Sequence, residues 1–198
     1  MTASEQDPVA RAAWRAEIAV LDPTTFVFVD ETSTTIALTR RYARAPRGER
    51  AVTAVPRNHG TPTSLVAALS PAGLGGAMTL AGALDGAAFT VYVREVLGPT
   101  LRPGQVVLCD NVSIHQGTAV RAAIEAAGCT LRFLPAYSPD FAPIEQAFAK
   151  IKEAVRAANA RTQLDLEAAI REALDLVTAD DAYGWFTHCG YALQDQAA

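Results

Sequence analysis

Three acidic residues stand where an α/β chain builds its reactive sites. Asp30 follows the β-branched and aromatic run at 24–29 (TTFVFV), Asp110 follows the apolar run at 105–109 (QVVLC), and Glu145 opens a helical stretch with 34 residues between it and Asp110. Runs of this composition read as buried strands, and ligands of open α/β sheets bind at the carboxyl ends of strands. Carboxylates gathered in one place repel one another, so a cluster of three is kept as anions only when a divalent cation offsets the charge. Hard oxygen donors suit magnesium or manganese. Two such ions, about 3.5–4 Å apart, would activate an attacking oxygen and steady a leaving one during in-line displacement at a phosphodiester. The chemistry implied is metal-assisted phosphoryl transfer, with Asp30, Asp110 and Glu145 as catalytic residues and metal ligands.

The elements that must position these acids follow from periodicity and breakers. Residues 8–21 carry Trp14, Ile18 and Leu21 at helical spacing and stop at Asp22-Pro23. Strands are expected at 24–29, 34–39 and 64–69, with the glycines of 73–76 turning the chain into a further strand at 77–80. A helix at 87–97 stops at Gly98-Pro99; strand 105–109, helix 117–127 and strand 130–134 come next, then the turn PAYSPDFAP and helices at 143–158 and 164–177. Strands first in a meander and then alternating with helices imply an α/β fold, a mixed β-sheet flanked by helices. Pro143 suits the first helical position, which makes Ala142 the N-cap and Glu145 the third helical residue, where the helix dipole favours a carboxylate. Ile144, Phe148, Ile151 and Val155 form the buried stripe of that helix. Glu145, Lys152 and Arg156 share a neighbouring face suited to carrying a phosphate backbone; for Lys152 and Arg156 alone, a merely solvated helix face is the somewhat better reading.

Composition narrows the remaining classes. At 198 residues, 50% hydrophobic and 19% charged, the chain is globular and sized for one domain, which sets aside disorder and coiled coils. The longest charge-free stretch, 58–84, is broken by prolines and glycines, so no membrane association is expected, and residues 1–20 have no apolar run of a secretory signal. The expected location is cytoplasmic. Cys109, Cys129 and Cys189 are too dispersed for a zinc site or a disulfide framework. The net charge of -4 argues against a surface that grips nucleic acid everywhere. Locally the balance reverses: 40–57 holds six arginines and one acid, Glu49. Arg40, Arg41, Arg44, Arg47 and Arg50 could hold DNA phosphates bidentately and Tyr42 could stack on a base; the competing reading is a solvated hairpin.

The string CDNVSIHQGTAVRAAIEAAGCTLRFLPAYSPDFAPIEQAFAKIKEAVR, with FVDET and RRYARAPRGER upstream, resembles the catalytic half of a bacterial insertion-sequence transposase of the mariner superfamily. The resemblance implies a ribonuclease-H-like, integrase-like fold over 23–191, preceded by a helical linker remnant at 1–22 and followed by a tail at 192–198. It implies a DDE triad of Asp30, Asp110 and Glu145 holding Mg2+ or Mn2+, two ions in all. The reaction implied is cleavage of double-stranded DNA at transposon ends, then strand transfer into target DNA at TA dinucleotides. The partners implied are element-end and target DNA, a second copy in a homodimer or larger synaptic assembly, and a helix-turn-helix domain or reading frame upstream. Asn111 and His115 of the DNVSIH element are secondary candidates: Asn111 as a hydrogen-bond partner of a carboxylate or as the residue that closes the strand-end turn, His115 as a phosphate contact or the orienter of a water, although a lone histidine opening a helix is more often a cap or a structural donor. Three features depart from the family pattern: Ala142 where Asn is usual before PIE, Gln116 where Lys often follows the histidine, and only 23 residues before the first strand. The last of these supports a competing reading, a catalytically idle remnant that binds DNA or another transposase. A different magnesium phosphohydrolase would leave the YSPDFAPIE block unexplained.

Overall fold

A computed structural model describes residues 4–193. Its centre is a five-stranded sheet of β1 (Phe26–Thr34), β2 (Thr63–Ser70), β3 (Gly73–Ala81), β4 (Val106–Cys109) and β5 (Thr130–Phe133). The order is β3-β2-β1-β4-β5, with β1, β2 and β3 antiparallel and β1, β4 and β5 parallel. The mixed sheet expected from the sequence is therefore present. Six strands were expected and five form: β1 runs through Asp30 to Thr34, and the stretch 35–62 leaves the sheet instead of making a strand at 34–39. Arg161 holds its first turn by donating to the carbonyls of Ile36 (2.8 Å) and Leu38 (3.2 Å). The β2–β3 turn is Pro71-Ala72 and not the glycine cluster. Gly76, at φ 49°, sits inside β3 where the register shifts between Val66 and Ala68, a bulge that needs a left-handed residue.

Period-two alternation sends successive strand residues to opposite faces. Phe26, Phe28, Leu65, Ala67, Leu69, Val106 and Leu108 pack against α1 (Pro8–Ile18), α4 (Ile144–Ala158), α5 (Gln163–Leu174) and α6 (Ala179–His188). On the other face Val27, Val29, Val66, Val107 and Cys109 meet α2 (Gly86–Val91), its π-helical continuation Tyr92–Leu97, and α3 (Thr118–Ala126). The three cysteines are free and buried. No helix among the described residues is long and apolar enough to cross a membrane.

The sequence reading omitted α6. Its signal is a capping box: Thr178 accepts from the Asp181 amide at 3.1 Å and Asp181 accepts from the Thr178 amide at 2.9 Å, while Ala182 and Phe186 bury one turn apart. Thr178→Ala should therefore lower stability by about 1 kcal/mol, read as a shifted urea midpoint at constant slope.

Candidate active site

The register of β1 against β4 brings the first two acids together. Phe28 pairs with Leu108 and Val29 with Cys109, so the next residues along each strand, Asp30 and Asp110, leave the parallel ladder beside each other. Both continue the face of Phe28 and Leu108, the face covered by α4. Glu145 arrives on the first turn of α4. All three acids line one cavity of about 420 Å³, whose walls include Phe28, Leu108, Leu134, Tyr137 and Ile144.

That apolar wall sets the electrostatics. Burial raises the Asp30 carboxyl to about 7; the hydrogen bond from the Glu31 amide (2.8 Å) opposes the rise, and the charges of Glu31, Asp110 and Glu145 add to it. Burial likewise raises Glu145, countered by the charge of Lys152 and reinforced by Asp110. The acids share the cavity without closing into a compact cage: among the described residues no group of three His, Cys, Asp or Glu side chains is tight enough to hold a metal ion. The donor set still fits a hard divalent cation. It is all carboxylate, the charges of Asp110 and Glu145 add to the rise of Asp30 and that of Asp110 to the rise of Glu145, and no described residue donates to Asp30 Oδ2 or Asp110 Oδ2.

His115 takes the structural-donor role among those expected for it. Its imidazole is fully buried against Phe89, with ring centroids 4.4 Å apart, and lies between Asp110 Oδ1 (2.6 Å from Nδ1) and Glu31 Oε2 (3.1 Å from Nε2). A ring so enclosed has no face open to a phosphate, so of the roles expected the donor to acids is the one its surroundings fit. Burial works against its charge, but the hydrogen bonds to Asp110 and Glu31 outweigh it and carry the imidazole to about 9. Glu31 was missed because it follows Asp30 directly, yet strand alternation aims it at the opposite face, where His115 lies. Asn111 lines the cavity and its Oδ1 accepts from Gln116 Nε2 at 2.7 Å, so Gln116 closes the turn after Asp110.

The basic residues divide. Lys152 is near enough to Glu145 to act on its ionisation. Arg156 is largely covered, its side chain 11% exposed, and pairs with Glu153 at 3.2 Å. Arg40, Arg41, Arg44, Arg47 and Arg50 lie exposed on the irregular segment after β1, and none of them lines the cavity. α4 begins one residue later than expected: Ala142 is extended, Pro143 is the N-cap with helical backbone, Ile144 is the first helical residue and Glu145 the second, and no side chain caps the helix.

Residues 25–167 match the model of the family described as DDE superfamily endonuclease. The chain belongs to that family. No curated protein matches it. Among solved structures, this DDE endonuclease is similar to "Mos1 transposase paired-end complex with left transposon end" at 18% identity and TM-score 0.73, covering 96% of this chain and 61% of that one. It is similar to "Crystal structure of the Mos1 Strand Transfer Complex" at 20% identity and TM-score 0.71, with 91% and 56% covered. A third is "Structure of Mos1 transposase catalytic domain and Raltegravir with Mg", at 16% identity and TM-score 0.64, with 91% and 86% covered. The shared architecture is the ribonuclease-H-like fold of the Mos1 catalytic domain. The DDE endonuclease chain spans about three-fifths of the length of the first of these proteins.

Asp30 and His115 between them fix a pH dependence. Between about pH 4 and pH 7 the folded chain keeps a proton on Asp30 that the unfolded chain has released, so stability falls as pH rises through that window. The His115 contribution is complete below about pH 6.5 and is lost as pH rises through about 9. In EDTA, Asp30→Asn should flatten the lower limb by roughly 2–4 kcal/mol and His115→Gln the upper one, read from urea midpoints across pH 4–10. An unchanged lower limb in Asp30→Asn would place the titrating acid elsewhere.

Proposed function

We propose that this chain is the catalytic core of a DNA transposase, cutting double-stranded DNA at element ends and joining the freed 3′ hydroxyl to target DNA. The observation that carries the reading is the meeting of Asp30, Asp110 and Glu145, drawn from three distant parts of the chain, on one cavity within the DDE endonuclease match. The unit so defined is a catalytic domain over 23–191, with α1 before it.

Asp30, Asp110 and Glu145 are the proposed holders of Mg2+ or Mn2+, two ions in all; structures of Mos1 with each metal support this choice. Bound there, the ions would supply Lewis-acid activation of a water or 3′ hydroxyl and charge stabilisation of the leaving oxygen. The residues of the chain do the rest. The strand register holds Asp30 and Asp110 side by side, and the apolar wall on which Asp30 is buried strengthens the charge interactions there, while Asp110 and Glu145 stay open to solvent. His115 keeps Asp110 Oδ1 engaged, which leaves Oδ2 as the oxygen without a described donor.

DNA is the proposed substrate and partner, in a paired assembly with a second copy; the Mos1 paired-end structure supports both. Arg40, Arg41, Arg44, Arg47 and Arg50 are the proposed phosphate contacts, with Lys152 nearest the acids. A helix-turn-helix module supplied from upstream would recognise the element end, and the setting would be the bacterial cytoplasm at the nucleoid.

Asp30→Asn, Asp110→Asn and Glu145→Gln should each reduce Mn2+-dependent nicking of supercoiled plasmid to background; the urea midpoint at pH 8 should hold or rise for Asp30→Asn and Glu145→Gln and fall for Asp110→Asn, which takes the carboxylate partner from the buried His115. An unchanged rate in any one of them removes that residue from the site. Replacing Arg44, Arg47 and Arg50 together with Ala should lower the slope of log binding constant against log salt by about 0.9 for each phosphate left unneutralised. A slope equal to that of the unaltered protein would return the segment to a solvated surface.

A further inference from the structure

Two of the three acids are fixed by the sheet, but the third is not. Glu145 follows a nine-residue connection, 135–143, whose only regular structure is the 3-10 turn Pro139–Phe141. Tyr137 in this connection takes a left-handed backbone, φ 54°, which is costly for a bulky residue. Pro143 has no amide hydrogen, and α4 begins without a side-chain cap. Internal hydrogen bonds are few: the Phe141 amide to the Ser138 carbonyl, the Ala142 amide to the Pro139 carbonyl, and the Ser138 hydroxyl to the Ala136 carbonyl. The position of Glu145 therefore depends on what grips this loop from outside.

That grip comes from the N-terminal helix. Gln6 Nε2 donates to the Tyr137 carbonyl at 2.6 Å. Arg11 makes a two-pronged pair with Asp140, Nη1 to Oδ1 at 3.0 Å and Nη2 to Oδ2 at 2.6 Å, across 129 residues of sequence. The Phe141 ring stacks on Trp14 with centroids 5.1 Å apart, and the guanidinium groups of Arg11 and Arg15 lie 4.1 and 3.9 Å from its centroid. The helix is itself anchored, since Trp14 and Ile18 are buried in the core and Glu17 pairs with Arg132 on β5, the strand from which the loop departs. Tyr191 adds a hydrogen bond from its hydroxyl to the Phe141 carbonyl at 2.6 Å. Planar, bidentate and stacked contacts of this kind fix geometry more than they add stability.

We propose that α1 belongs to the active-site apparatus: Arg11, acting through Asp140 and the stacked Phe141, is a positioning residue that holds the 135–143 loop and so sets Glu145 against Asp30 and Asp110. The proposal rests on the reading of Glu145 as a metal ligand. It assigns work to a helix that lies outside the 25–167 family match and that the sequence offers only as a linker remnant.

Mn2+ binding to the full chain, followed by loss of the free-ion electron paramagnetic resonance signal, tests it with no DNA present. Arg11→Ala and Asp140→Asn should each weaken Mn2+ binding by about tenfold or more, with urea midpoints close to the parent because a partly exposed ion pair contributes only about 0–1 kcal/mol. Arg11→Lys, which keeps the charge but not the fork, should recover only part of the loss. The decisive arm adds Arg11→Ala to Glu145→Gln: a residue acting through Glu145 has no further effect once Glu145 is removed. Parent-like binding in Arg11→Ala and Asp140→Asn overturns the proposal, as does further weakening in the Glu145→Gln background. Should Arg11→Ala fail to fold, Asp140→Asn carries the test, as the Asp140 side chain is 55% exposed. If Glu145→Gln alone binds Mn2+ as tightly as the parent, the ligand reading fails and the brace with it, an outcome distinct from failure of the brace alone.

Discussion

The parallel pairing of β1 with β4 is the constraint from which the site follows. A shift of one residue in that register would turn Asp110 to the opposite face and leave Asp30 without its neighbour, because side chains along a strand alternate between faces. The register is held by burial on both sides: Phe28 and Leu108 belong to one core and Val29 and Cys109 to the other. The apolar residues that fix the pairing also desolvate Asp30 at its end, which is why that carboxyl resists ionisation up to about 7. Packing and reactivity here have one cause, and a chain that buried these strands less well would hold its acids less precisely and less strained.

Around that pair the protein distributes opposing charge with economy. His115 serves Asp110 and Glu31 from the face away from the cavity, and Lys152 moderates Glu145 from α4. Neither enters the space that a phosphate and its ions would need. The third acid is carried on a helix start that lacks its own cap, and the compensation comes from α1 through Asp140 and Phe141.

Much of this was legible in the residues. Apolar runs ending in Asp, and a Pro two residues ahead of Glu145, carry local information that the fold keeps, so the three acids that line the cavity could be picked out directly and the start of α4 placed to within one residue. Other features depend on partners distant in sequence. The stretch 34–39 has strand-like alternation, but Thr34 already ends β1 and Arg161, 125 residues beyond Ile36, draws the chain out of the sheet. Glu31 gains its role only because α2 presents Phe89 and the turn after β4 presents His115 on the far face of the sheet. The grip of Arg11 on Asp140 spans 129 residues and leaves no periodic trace in either segment. By contrast α6 was readable, since Thr178 and Asp181 form a capping box whose pattern is local.

The central claim is that Asp30, Asp110 and Glu145 share a divalent cation. Anomalous diffraction at the manganese edge from crystals of this chain grown with Mn2+ tests it most directly. The account predicts a peak inside the cavity, at about 2.0–2.3 Å from oxygens of Asp30 and Asp110, with Glu145 completing the set. A cavity with no anomalous peak at saturating Mn2+, or a peak held by other side chains, would contradict it.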